Sequence, residues 1–389
     1  MQTKRGNPDF FLLFLTLALV GFGLVMVFSA SSIIALQDYG DLWYYTRRQA
    51  MWILIGLVAM AVLMNIHYRR YQKWFVWLAG LSLLLLVLVL LPFIGIKVHG
   101  ARSWLGIGGF RMQPAEFAKL ALILYLAALI SKKGEQFRDF KKGLLPAIIV
   151  TAFFAFLIAL QPDFGTAAIL IGVALCVIIC GGANLKHLSL IGSVIVLGMG
   201  LLALNFSHVS KRLSSFLNPW ADPYGAGFHL IQSYYAFGHG GITGVGFGRS
   251  IQKYEYLPHP HNDFIFSIIA EELGFVGVCF ILFVYLLLIW RILYLCQSVR
   301  EPFCTLVGVG IASMIGIQAF INIGGASGII PISGVPLPLI SYGGSSMLVT
   351  LMGIGIVLSI SREVNRRKAA RQPAVTASRR TAPPHVREM

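Results

Sequence analysis

The chain has 389 residues, of which 57% are hydrophobic and only 12% charged. Soluble domains carry about 25% charged residues, so this balance excludes an ordinary water-soluble enzyme and fits a chain solvated mostly by lipid. The net charge of +16 does not signal nucleic acid: the basic residues sit in short clusters between apolar runs, as topology signals and contacts with anionic headgroups do.

A membrane span takes about 20 mostly apolar residues. Ten segments meet that rule in chain order: 10–31, 50–66, 74–95, 114–130, 144–160, 165–181, 185–206, 263–290, 303–324 and 340–360. They predict an all-α, polytopic integral membrane protein with ten transmembrane helices, the first an uncleaved helix rather than a signal peptide. An even number of spans puts both termini on one side. Of the 31 Lys and Arg residues, 21 fall on that side, nine fall opposite, and Lys119 lies within a span. The excess places both termini in the cytoplasm. Five cysteines (Cys176, Cys180, Cys279, Cys296, Cys304) lie in or beside apolar runs and read as packing residues.

The large loop between the seventh and eighth spans, 207–262, has 56 residues and faces outward. It contains Trp220, Tyr224, Phe228, Tyr234, Tyr235, Phe237, Tyr254 and Tyr256, too many aromatics for a disordered linker, and is expected to fold against the membrane face. Residues 1–361 are therefore read as one transmembrane domain. Residues 362–389, basic and rich in Pro, Ala, Ser and Thr, are read as a disordered cytoplasmic tail.

Charged groups at membrane depth are costly and so mark candidate sites. Glu116 and Lys119 stand three apart on one helical face, either as a neutralising buried pair or as direct substrate contacts. Asp163, in the tight turn 161–165, is either a helix N-cap or functional. Glu271 and Glu272 follow Asp263 by eight and nine residues, which predicts a place more than two turns into the eighth span, away from its mouth. Asp263 ends the outward loop and begins a span. It is either a helix cap or an ionised carboxylate at the water–lipid boundary, able to accept a proton from a hydroxyl group.

His259 and His261 are two apart with no third ligand specified, a weak metal signal. Gly238, Gly240, Gly241, Gly244, Gly246 and Gly248 lack the strand and the Lys-Ser/Thr pair of a nucleotide loop, and read as places for sharp turns or close backbone approach. An extended outward stretch, 99–113, brings Arg102, Trp104 and Arg111. With Lys211, Arg212, Arg249 and Lys253 it forms an outward face with spare positive charge, suited to a pyrophosphate or to lipid headgroups.

Several stretches fall into an ordered set: Gly100-Ala101-Arg102-Ser103-Trp104, Gln113 to Lys119, Gln161 to Thr166, Arg212-Leu213, Asn218 to Pro223, Gln232-Ser233, Asp263 to Phe266, Glu271 to Gly274, and Gly334 to Ser346. Along nearly the whole chain this set resembles the SEDS family (shape, elongation, division and sporulation), whose members include FtsW, RodA and SpoVE. Trp220 and the stretch 252–258 look closer to the division and sporulation branches. The resemblance implies a peptidoglycan glycosyltransferase in the bacterial cytoplasmic (inner) membrane that joins lipid II disaccharides and releases undecaprenyl pyrophosphate. It implies that Asp263 is required for polymerisation and that Glu116 and Lys119 form an intramembrane salt bridge. Arg102, Glu116, Lys119, Arg212, Gln232, Ser233, Lys253, Ser341 and Ser345 are the candidate substrate-binding residues. The implied partners are undecaprenyl-linked glycan, a class B penicillin-binding protein, and other divisome or sporulation membrane proteins. No cofactor is required by a motif, and a divalent cation (Mg2+ or Mn2+) stays open. One departure is that His259 and Asn262 stand where the family usually has Glu and Thr. Two other functions fit a polytopic chain: a flippase of the lipid-linked precursor, for which no repeated halves are found, and a non-catalytic scaffold recruiting a penicillin-binding protein.

Overall fold

The computed structural model describes residues 6–98, 101–107, 110–184, 186, 187, 189, 215–225, 227–254, 256, 257 and 260–381. Among these, eight helices are long and apolar enough to cross a membrane, and a ninth apolar helix, Phe164–Cys180, is shorter. The predicted seventh span, 185–206, lies almost wholly outside the described residues, as do Lys211, Arg212 and His259.

Helix α1 (Phe10–Tyr39) is capped by Asp9, whose carboxylate accepts the Leu12 N–H at 2.8 Å, and stops at Gly40 in the left-handed region. α2 (Tyr44–Met64) starts six residues before its predicted boundary at 50, so Arg47 and Arg48 belong to its first turns rather than to a loop. α3 (Tyr68–Leu90) ends before the predicted boundary at 95, and the chain then makes a small antiparallel sheet, β1 (Gly95–Val98), β2 (Ala101–Ile107) and β3 (Phe110–Met112), in the order β1-β2-β3. The all-α expectation is corrected here. The stretch 95–112 is too short for a span and is interrupted by glycines, so it satisfies its backbone by pairing with itself, Ile96 opposite Trp104 and Leu105 opposite Met112.

α4 (Pro114–Lys133), α5 (Leu145–Ala159) and α6 (Phe164–Cys180) follow. α7 (Phe228–Gly240) lies within the predicted outward loop. α8 (Ile265–Ser298) is broken at Gly274, α9 (Pro302–Ala326) precedes an irregular segment, and α10 (Gly344–Thr381) closes the fold. α4, α9 and α10 form the centre: 78%, 67% and 89% of their apolar windows are buried, against 22% for α2 and α8. The outer helices turn large apolar side chains such as Trp77, Phe280 and Leu286 outward, as lipid contact demands. The buried centre keeps the polar groups, where other helices can bond them.

The irregular segment between α9 and α10 dips back into the bundle. Its Leu339 and Ile340 backbone packs so tightly on Gly23 that a Cβ there would clash, and the Tyr285 hydroxyl donates to the Pro338 carbonyl. At the other end of the bundle, Arg362 Nε donates to Gly6 O at 2.9 Å, Asn365 Nδ2 to Asn7 O at 2.8 Å, and Arg291 pairs with Asp9 at 2.6 Å. The start of α1 and residues 362–365 therefore meet at one end. Helix α10 runs on past 361, so the first residues assigned to a disordered tail are instead docked: Arg366 pairs with Glu363 at 2.7 Å and Arg367 with Glu301 at 2.8 Å.

Candidate active site

Two amides on α9 organise the site. Gln318 and Asn322 are four residues apart and so share one helical face. Gln318 Oε1 accepts from Lys119 Nζ at 2.9 Å, and Lys119 in turn pairs with Glu116 at 2.8 Å. Lys119 and Glu116 are buried, and their pairing favours the neutralising role over an exposed contact with substrate. Gln318 Nε2 donates onward to Pro336 O at 3.1 Å and to Ser346 Oγ at 2.8 Å. One turn along, Asn322 Nδ2 donates to Asp263 O at 2.9 Å and to Val335 O at 2.7 Å. The ion pair, the re-entrant segment and Asp263 are thus joined through a single helix.

Asp263 is half-buried beside a narrow recess that Asn322, Gly325, Ser333 and Gly334 also line. The recess measures about 10 Å³, room for one water. Gly334 stands against the carboxylate, where a Cβ would lie 3.7 Å from Asp263 Oδ2. The first turn of α8 is capped by Phe264 without a side-chain bond, so Asp263 sits just outside the helix. Its backbone precedes Phe264, and α9 holds its carbonyl, which fixes where the side chain emerges.

Level follows from helix rise. Ser29 stands about 30 Å along α1 from Phe10, and Asn322 about 30 Å along α9 from Pro302. Glu272 touches the first level, accepting from Ser29 Oγ at 2.7 Å, and Asp263 touches the second. Residues 265–273 therefore cross the end of the bundle opposite the chain termini, and the descending span starts after the break. This corrects the predicted depth of Glu271 and Glu272: both sit at the level of the site, and the break at Gly274, φ 66° and ψ −169°, is the reason.

The glycine-rich segment satisfies the backbone groups that this break frees. Val245 and Gly246 N–H donate to Glu271 and Glu272 carbonyls at 3.0 Å, while Phe275 and Val276 N–H donate to Gly241 and Ile242 carbonyls at 3.0 and 3.1 Å. A Cβ on Gly274 would come within 2.3 Å of Gly244 N. The close backbone approach predicted for these glycines is real, and its partner is α8 itself.

The Glu271 carboxylate gathers the same loop, accepting from the Ser250 hydroxyl, from Ile251 N–H at 2.9 Å and from Gln252 N–H at 3.3 Å. Lys253, expected to hold pyrophosphate on an outward face, is instead buried. Its Nζ pairs with Glu272 at 3.1 Å and donates to Gly248 O at 2.7 Å, so its charge is spent in packing.

The remaining candidates divide. Ser233 is buried and donates to Ala326 O at 2.6 Å, Ser341 Oγ accepts from Leu337 N–H at 2.8 Å, and Ser345 Oγ accepts from Gln113 N–H at 2.9 Å. All three are buried and bind backbone, so they serve packing rather than an open site. Asp163 is the predicted N-cap, accepting Thr166 N–H at 3.1 Å, and it also accepts Gln113 Nε2 at 2.7 Å. Arg102, half-buried in β2, reaches Leu90 O at 3.5 Å, while Gln232 is half-buried on α7 and Arg111 is exposed in β3. His261 is buried with its ring 4.3 Å from that of Tyr45 and 5.4 Å from that of Tyr342. Among the described residues, no group of three or more His, Cys, Asp or Glu side chains is placed to hold a metal ion. Gln318 and Asn322 escaped the sequence reading because they are uncharged. The available signal was two amides at helical spacing in an otherwise apolar run.

A family model described as cell cycle protein, covering FtsW, RodA and SpoVE, matches residues 10–366. The chain is 43% identical over 363 residues to stage V sporulation protein E of Bacillus subtilis, covering 93% of this chain and 99% of that one. It is 41% identical over 366 residues to a probable peptidoglycan glycosyltransferase FtsW of Trichlorobacter lovleyi, covering 92% and 94%. Among solved structures, a chain from work on coordination of polymerization and crosslinking by a peptidoglycan synthase complex superposes with a TM-score of 0.76 at 33% identity, covering 92% of this chain and 98% of that one. The rod shape determining protein RodA of Thermus thermophilus gives 0.68 at 32% identity, covering 92% and 97%.

Proposed function

We infer that this chain, which belongs to the FtsW, RodA and SpoVE family of cell cycle proteins, is a peptidoglycan glycosyltransferase of the division or sporulation branch. It works in the bacterial inner membrane with both termini cytoplasmic, joins lipid II disaccharides into β-1,4 glycan, and acts beside a class B penicillin-binding protein that crosslinks the product. The observation that carries this reading is the position of Asp263: at the end of the bundle opposite the termini, beside a recess, with its backbone clamped by Asn322.

In the proposed step, the Asp263 carboxylate takes the proton of the acceptor sugar's 4-hydroxyl. The freed oxygen attacks the anomeric carbon of the donor, and the bond from that carbon to the pyrophosphate breaks with its electron pair on undecaprenyl pyrophosphate. One displacement converts the α-linkage into a β-glycosidic bond. Arg102, Arg111, Lys211, Arg212 and Arg249 are the cations of the predicted outward face that remain to meet the leaving charge, since Lys253 is paired inside. Asn262 Oδ1, next to Asp263 in the chain, and Asn322 Oδ1, whose amide holds the Asp263 carbonyl, are buried without a hydrogen-bond partner. Such oxygen donors suit Mg2+ or Mn2+, which would supply further stabilisation of the pyrophosphate.

General-base assistance is worth about 10²–10⁴ in rate. Purified Asp263→Asn protein is therefore expected to fold and to lose polymerisation of labelled lipid II by that factor. Glycan made by the variant at the wild-type rate would remove Asp263 from this role. Lipid II translocation in liposomes without polymer from the wild type would favour a flippase, and neither activity would favour a scaffold.

A further inference from the structure

At the end of the bundle where the chain termini meet, basic residues gather on two short segments. One is the start of α3, which lies at this end because Tyr68 and Arg69 bond Glu301, the partner of Arg367. The other is the connection from α4 to α5, a 3-10 turn (Gly134–Arg138) followed by a π turn (Phe140–Leu144). A chain of contacts makes them one surface. Gln72 Nε2 donates to Ser131 Oγ at 3.3 Å, and Lys132 Nζ lies 4.4 Å from the centre of the Phe75 ring. Lys133 Nζ donates to the Lys142 carbonyl, and the Phe140 ring stands 5.1 Å from that of His187.

The connection is folded, not a loose linker. Phe137 is fully buried, and a Cβ on Gly143 would come within 2.4 Å of the Phe137 carbonyl. The Asp139 carboxylate accepts Lys142 N–H at 3.0 Å, and its carbonyl accepts the Gly143 and Leu144 N–H groups at 2.9 and 3.1 Å. Cations project from this frame: Arg138, Lys141 and Lys142 on the connection, with Arg70, Lys73 and Lys132 beside it, all exposed. Lys186, also exposed and next to His187, makes a seventh.

Like charges held this close repel one another, and their own segments bring only two carboxylates, Glu135 and Asp139. Among the described residues none of the seven stands in an ion pair. Residues 188–214, which follow, contain no Asp or Glu. The charge is left for an anion from outside the chain. Position narrows its kind. Next to the cations, α3 exposes Trp74 and Trp77, by 44% and 80%, and α5 exposes Ile149, Phe153 and Phe156. These helices are neighbours, joined where Gln161 Nε2 donates to Leu86 O at 3.4 Å. Large apolar side chains in the open on adjacent spans form a lipid-facing wall, and Trp beside Lys and Arg marks its headgroup edge. An anion that arrives at this level with its chains along the wall is a phospholipid.

We propose that the start of α3, Lys132 and the connection 134–144 form a docking surface for anionic phospholipid headgroups, in the leaflet on the side of the chain termini. Each Lys or Arg close to such a headgroup layer raises affinity about fivefold. The lipid is bound as a neighbour and not as a substrate, so the proposal stands apart from the polymerase reading. Its place in the fold is the far end of α4, the helix whose first turn carries Glu116.

The test uses full-length protein in a non-ionic detergent, titrated with phosphatidylglycerol or with phosphatidylcholine of the same chains, and counts bound lipid by native mass spectrometry. The wild type is expected to bind phosphatidylglycerol at least about fivefold more tightly, and to lose that preference as ammonium acetate is raised. Arg138→Gln, Lys141→Gln and Lys142→Gln together alter exposed side chains on which no hydrogen bond of the fold depends, and are expected to weaken phosphatidylglycerol binding about tenfold or more. Arg379→Gln, Arg380→Gln and Arg387→Gln remove the same charge from the C-terminal segment and should leave binding unchanged. Equal affinity of the wild type for the two lipids, a preference indifferent to salt, or equal weakening by the C-terminal substitutions would overturn the proposal. So would displacement of bound phosphatidylglycerol by an equal concentration of inorganic phosphate, since the surface would then read a free anion.

Discussion

Lys119→Met is the sharpest perturbation of the buried network. Lys119 Nζ makes two contacts, to Glu116 at 2.8 Å and to Gln318 Oε1 at 2.9 Å, and the paired side chains are 0% and 4% exposed. Removing the ammonium leaves a carboxylate in the bundle with no cation, at a cost of about 3–5 kcal/mol. It also leaves the Gln318 oxygen unpaired, which adds about 1–3 kcal/mol. Against a total stability of about 5–15 kcal/mol this is a large fraction. Glu116→Gln combined with Lys119→Met removes both charges while keeping the volumes, and is expected to regain most of the loss. Thermal unfolding of the four proteins of this cycle in one detergent measures the coupling. The polymerisation rate should follow the same order, because Gln318 also holds Pro336 and Ser346. A double variant as unstable as the two single losses added together would refute the reasoning, since the pair would then not be the unit that permits burial.

Gly274→Ala is expected to cost about 1–3 kcal/mol from the left-handed backbone, and more from the new Cβ against Gly244 N at 2.3 Å; yield and melting temperature report it, and wild-type values would contradict the tight crossing. Asn322→Leu strands the Asp263 and Val335 carbonyls at about 1–3 kcal/mol each. If Asp263 is the base proposed above, its displacement is expected to lower kcat more than it raises KM, and a change confined to KM would argue against a positioning role. Glu301 provides a pH test. Burial pushes its carboxyl up, but hydrogen bonds from Arg367 and Tyr68 and the charges of Arg69 and Arg367 outweigh that and hold it below its ordinary value of 4.5. A lowered folded value means that its contribution is present above that value and lost as pH falls through the folded one. Hydrogen exchange in the Glu301-linked end of α10 should therefore rise below about pH 4.5, and Glu301→Gln should remove that dependence.

Much of the architecture was legible because its signals are local. A span is a run of apolar residues, and the Asp163 cap and the Glu116–Lys119 spacing each lie within a few positions of sequence. The short sheet at 95–112 was seen as extended but not as paired, because pairing depends on which strand lies opposite. The fate of a charge was also out of reach. Lys253 and Arg111 look alike in sequence, yet one is spent on Glu272 from a helix that passes beside it and the other is exposed.

What the sequence determined by itself was that the chain crosses a membrane repeatedly and that Asp263 ends the long loop ahead of an apolar run. Tertiary structure decided the rest of the site. The break at Gly274 turns residues 265–273 across the bundle end, and two amides of α9 clamp the re-entrant segment and Asp263 together. The physical reason is that hydrophobic periodicity acts over neighbours a few residues apart. Hydrogen bonds in the buried centre join groups as distant as Lys119 and Gln318, whose pairing exists only once α4 and α9 have packed.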